Sequence, residues 1–173
     1  DELERSALAG DLVRLERSLT DMKDKFGGTT YAVQAALLAS KAYFEGEKID
    51  PAKDALRWVA DKASDEGYKA IARLRLAGLL ISQKAYEDAA KQLSGSVPKD
   101  FEGLFADRKG DLANVQGKKA DAVAEYQKAY RLYEGKADYR RLVEVKLIAL
   151  GIDPAASDAA NPKVQDTASG SKK

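Results

Sequence analysis

One order of residues recurs three times in the middle of this 173-residue chain, and it limits the fold more than any other feature. In the clearest copy a small residue, Gly110, is followed by Gly117 at a turn, then by Ala122, Tyr126 and Ala129. The preceding copy places Ala77, Lys84, Ala89 and Leu93 in the same order, 33 residues earlier. A third copy begins at Ala39 and runs through Gly46, Ala52, Leu56 and Val59, with one residue inserted near Pro51. Small residues at these places let two antiparallel helices approach closely, and the larger residue fills the gap beside them. Such a unit cannot bury its apolar face alone, so copies must stack. The spacing assigns units to residues 31–64, 66–97 and 101–135.

The flanks read as helices that cap the stack. Over residues 1–26, Leu8, Leu12, Leu15, Leu19, Met22 and Phe26 recur at steps of four and three, which puts all six on one stripe of a single helix. Gly27-Gly28 ends it, and Thr29 or Thr30 caps the next helix by accepting a backbone N–H. Asp50-Pro51 reads as a cap followed by proline at the first helical position. A last helix covers 139–150. Residues 151–173, rich in Ala, Ser, Asp, Pro and Lys, bury too little to offset ordering and are expected to be a disordered tail. No segment alternates strictly between apolar and polar residues, so sheet is not expected. The fold class is all-α: a solenoid of about three helical-hairpin repeats, with the domain at 1–150.

The chain has no His and no Cys, which removes imidazole acid–base work, thiol chemistry and nearly all zinc sites together. Its formal net charge is +1 and no basic stripe stands out, so nucleic acid has no electrostatic footprint. No apolar run approaches the roughly eighteen residues a membrane span needs. Gly27-Gly28 lacks the lysine and serine or threonine of a phosphate loop. Asp107 and Asp111 lie four apart on one helix face, but Arg108 and Lys109 lie between them, and the pair reads as a solvated face. No catalytic residue, cofactor or metal ligand is expected.

The order small–turn–Ala–aromatic–Ala is that of the tetratricopeptide repeat, whose usual period is about 34 residues. Three stretches narrow the resemblance further: Ala70 to Ala77, which reads apolar and then Leu-Arg-Leu-Ala; Phe101 to Asp111 running into Gly117 to Tyr126; and Val145-Lys146-Leu147 in the last helix. Over residues 1–152 the chain resembles the periplasmic domain of YfgM-type proteins, ancillary subunits of the SecYEG translocon. The resemblance implies an inner-membrane protein of Gram-negative bacteria facing the periplasm, anchored by one span upstream of Asp1. It implies association with the translocon and with the chaperone PpiD, and help in handing over translocated client polypeptides. A soluble repeat scaffold for assembly of another complex is the alternative; an enzyme is not expected.

In stacked repeats the first helix of each unit lines the concave face. Projecting the repeat places Val33, Ala36, Ser40 and Tyr43 there, then Ile71, Leu74, Gly78 and Ile81, then Leu104, Asp107, Asp111 and Asn114. The expected partner-binding surface is thus mainly apolar, with acidic residues toward one end. Three uses remain open. The Leu8–Phe26 stripe docks into the groove, or the groove takes an apolar partner segment, or the stripe itself is a partner or homodimer surface.

Overall fold

The computed structural model describes residues 2–154, so the expectation for the tail lies outside the described residues except at its first four positions. Nine helices and no strand are present among these residues. In order they are α1 (Glu2–Ala9), α2 (Leu12–Phe26), α3 (Thr30–Glu45), α4 (Ile49–Lys62), α5 (Glu66–Ser82), α6 (Tyr86–Leu93), α7 (Lys99–Val115), α8 (Lys119–Leu132) and α9 (Ala137–Ala149). The fold is the all-α repeat solenoid expected.

The repeat is written in its turns. Gly10, Glu47, Lys84, Gly117 and Gly151 all adopt left-handed backbone, at φ of 67, 59, 59, 72 and 78°. After each, the next backbone N–H donates to a carbonyl five residues back: Asp11 to Ser6, Lys48 to Tyr43, Ala85 to Leu80, Lys118 to Ala113 and Ile152 to Leu147, at 2.7–3.0 Å. This bond closes the odd-numbered helix by satisfying one of its orphan carbonyls and reverses the chain. Glycine holds three of these five positions because it alone pays no steric penalty there; Glu47 and Lys84 carry it.

Two expectations change. Residues 1–26 are not one helix: Gly10 breaks them into a hairpin, with Leu3 of α1 lying beside Met22 and Phe26 of α2. The pair is a repeat unit in its own right, and α9 stands as the first helix of a fifth. The stripe is split accordingly. Leu15 and Leu19 are core, while Leu8 is 82% exposed. Asp50 is not the cap of α4 either. The helix starts at Ile49, Pro51 sits in its first turn, where a missing N–H breaks no ladder, and Asp50 pairs with Lys53 at 2.7 Å. Thr29, by contrast, caps α3 through Ala32 N–H at 3.2 Å, and Asp65 caps α5 through Tyr68 N–H at 2.9 Å.

Packing follows the turn. Five residues after it stand Leu15, Ala52, Ala89 and Ala122, and nine after it Leu19, Leu56, Leu93 and Tyr126; all eight are buried. Seven before it stand Leu3, Ser40, Ala77 and Gly110. One core cluster runs from α1 to α7, and a second joins α7, α8 and α9 through Ala106, Tyr126, Tyr133, Val143 and Leu147. No helix among the described residues is long and apolar enough to cross a membrane.

Candidate binding groove

An open groove of about 470 Å³ lies along the first helices α3, α5 and α7. Phe44 and Leu79 give it an apolar surface, with the buried Leu56 behind them, and Lys41, Arg75 and Arg108 supply charge. Ser40 and Ser82 also line it, but each hydroxyl donates to a carbonyl of its own helix, of Leu37 at 2.8 Å and of Leu79 at 2.7 Å. Gly78 lies under Arg108: a Cβ there would stand 3.7 Å from the guanidinium, in ordinary contact. No residue of α1 or α2 lines the groove, so the N-terminal hairpin leaves it open.

Beyond the groove, α9 is fastened to α7 by a polar cluster. Lys146 Nζ donates to Asp107 Oδ1 and Asp111 Oδ1, both at 2.7 Å, and Tyr126 donates its hydroxyl hydrogen to Asp111 Oδ1 at 2.9 Å. Burial pushes the Asp107 carboxyl above the usual range, and Lys146 only partly opposes it. Burial, reinforced by the Asp111 carboxylate, raises the Tyr126 phenol well above its ordinary value, so Tyr126 stays a neutral donor.

Residues 1–152 match the tetratricopeptide repeat-like domain family. The chain belongs to that family. It is also 29% identical, over 136 residues, to the ancillary SecYEG translocon subunit of Neisseria gonorrhoeae (strain ATCC 700825 / FA 1090). That similarity covers 79% of this chain and 65% of the relative, just under two thirds of the relative's length. No solved structure matches the chain significantly.

The tetratricopeptide repeat-like register now locates each residue expected on the partner-binding face. In the first-helix series the inner positions fall nine, six and three residues before the turn. In α5 these are Arg75, Gly78 and Ile81, and in α7 Arg108, Asp111 and Asn114. Ile71, Leu74, Ile81 and Leu104 are half-buried against the core clusters, and Asn114 is exposed. Val33 and Tyr43 do not belong to the inner face. Both are 4% exposed and sit in the core with Ala36 and Ser40. The turn of this unit is at Glu47, not Gly46, and a slip of one residue rotates a helix by about 100°. Leu38, Lys41 and Phe44 take the inner places, and the small residue of the unit is Ser40 rather than Ala39. Counted from Glu47, Ala52 falls in register and no insertion near Pro51 is needed.

Asp107 and Asp111 are corrected as well. Asp111 holds an inner position and Asp107 stands one turn before it, but both are partly buried and spoken for by Lys146. They clamp two first helices together and do not form a solvated acidic end. Conversely, α9 presents Leu142, Val145 and Ile148 at the same three inner positions, 63, 60 and 58% exposed. Their spacing of three was visible in the sequence and was absorbed into the expectation of a cap.

Proposed function

We propose that this chain is the protein-binding part of an ancillary SecYEG translocon subunit, a non-enzymatic adaptor that engages partner polypeptides through its inner groove. The observation that carries the reading is the groove itself. It is open and lies on the face where stacked repeats bind. It belongs to a chain similar to a protein named as a translocon subunit. The finer reading places the domain on the periplasmic side of the inner membrane, tethered by one apolar span upstream of Asp1. There it cooperates with a PpiD-type chaperone in receiving translocated clients.

Site-specific photocrosslinking in intact membranes tests this. A crosslinking residue at Phe44, in the groove, is expected to capture translocon subunits, the chaperone and chains in transit. The same residue at Leu132, exposed on the second helix α8, is expected to capture none of them. Equal labelling from both sites, or capture of soluble complexes alone, would defeat the adaptor reading in favour of a scaffold of another kind.

A further inference from the structure

We infer that the groove between α3, α5 and α7 is built for an extended segment carrying carboxylate side chains beside a large apolar one. This rests on the reading that the inner face binds protein, and it names the chemistry of the partner.

The groove segregates charge in a chain that does not. Lys and Arg number 29 and Asp and Glu 28 overall, yet the lining holds Lys41, Arg75 and Arg108 and no carboxylate. The cations are only weakly satisfied. Arg75 is exposed and makes no hydrogen bond or ion pair among the described residues. Lys41 stands 3.6 Å from Glu45 on the exposed surface of its own helix. Arg108 stands 3.5 Å from Asp111, whose other oxygen already takes Lys146 and Tyr126. Because the hydroxyls of Ser40 and Ser82 donate within their helices, the donors left for a ligand are the cationic ones. Donors of that kind favour ionised acceptors over amides, since charge-assisted hydrogen bonds are roughly twice as strong as neutral ones.

The apolar component is equally local. Phe44 is 53% exposed, next to Leu79, which leaves uncovered ring surface within the same groove as the cations. Arg75 and Arg108 occupy the same repeat position on neighbouring first helices, and packed helices lie roughly 8–10 Å apart. An extended chain in the polyproline II conformation rises about 3.1 Å per residue with three residues per turn, so carboxylates three apart share one face and span about 9 Å.

The test uses the full chain and a fluorescein-labelled, C-terminally amidated peptide that repeats Ser-Glu-Leu, read by fluorescence anisotropy. Replacing Glu by Gln in the peptide is expected to weaken binding about tenfold, as is Arg75→Glu in the protein. Raising salt should weaken the Glu peptide more than the Gln peptide. Arg75→Glu combined with Arg108→Glu should bind a Ser-Lys-Leu peptide better than the unsubstituted protein does. This gain cannot come from unfolding, and circular dichroism confirms the fold. Four results would overturn the inference: equal binding of the Gln peptide; indifference to Arg75→Glu; equal binding of a peptide whose sole carboxylate is its free C-terminus; or a dimer of the chain that Arg75→Glu dissolves, which would assign the groove to a second copy. If peptide binding fails while crosslinks from Phe44 persist, the adaptor reading stands and only the partner chemistry falls.

Discussion

Gly110 gives the sharpest test of how the repeat packs. A Cβ at this position would lie 2.4 Å from both Cδ1 and Cε1 of Tyr126 and 3.0 Å from its Cγ, so the ring must move if Ala is introduced. It has nowhere to go. Tyr126 is 2% exposed, and its hydroxyl is tied to Asp111 at 2.9 Å. Overpacking a tight core costs about 1–3 kcal/mol, and a ring held at both ends belongs at the upper end. Replacing Gly by Ala in a helix returns about 0.8–1.0 kcal/mol. Gly110→Ala is therefore expected to lose about 2 kcal/mol, lowering Tm by about 4–8 °C for a chain of this size. Urea and thermal unfolding followed by circular dichroism measure it. The preceding unit supplies the control, because there Ala77 meets Leu93 where Gly110 meets Tyr126. Tyr126→Leu should relieve the clash, so the double variant should be more stable than the sum of the single losses by at least about 1 kcal/mol. A Gly110→Ala protein as stable as the parent, or a coupling near zero, would refute the claim that this contact sets the helix spacing.

Lys146→Met leaves Asp107 and Asp111 partly buried without their cation. With side chains 23–33% exposed, the loss should fall between surface and buried pairs, about 2 kcal/mol. Acidification should narrow that loss. The Asp107 carboxyl, already raised by burial, takes up its proton in the folded state first, so stability from this group grows as pH falls through its folded pKa. An equal loss at neutral and mildly acidic pH would contradict the assignment. Tyr133 has a buried hydroxyl without a hydrogen-bond partner, and burial pushes its pKa up to about 12. The fold therefore holds the phenol neutral after the unfolded chain has begun to ionise near about 10, and stability falls as pH rises between those values. Tyr133→Phe should be neutral to slightly stabilising at neutral pH and show a shallower alkaline fall; identical slopes in pH-dependent thermal melts would rule this out.

Helix existence was legible because small residues and turn signals recur together, and the pairs Ala77–Leu93 and Gly110–Tyr126 could be placed from spacing alone. The register of α3 was not. Glycine usually marks the left-handed turn residue, and Gly46 stands next to the residue that bears it, Glu47, so reading the glycine shifted the inner face by one position and sent Val33 and Tyr43 to the wrong side. The same rule read in reverse hid Gly10: a continuous Leu8–Phe26 stripe outweighed one glycine, although the glycine ends α1. Lys146 could not be assigned to Asp107 and Asp111 from sequence, because the pairing joins helices 35–39 residues apart and no local pattern announces it.

These successes and failures share a cause. Positions that set helix–helix distance face the same constraint in every unit, so they repeat: Leu15, Ala52, Ala89 and Ala122 all fill one kind of gap. Inner-face positions face solvent or a partner, and nothing in the packing obliges them to match. Nine residues before the turn stand Leu38, Arg75, Arg108 and Leu142; six before it, Lys41, Gly78, Asp111 and Val145. Repetition exposes the scaffold and is silent about the site. Once the turns fix the register, however, the departures from repetition become the informative residues: two arginines stand at one position in neighbouring units, Arg75 with no ion pair among the described residues and Arg108 only 3.5 Å from Asp111. We assign their placement to what the groove holds.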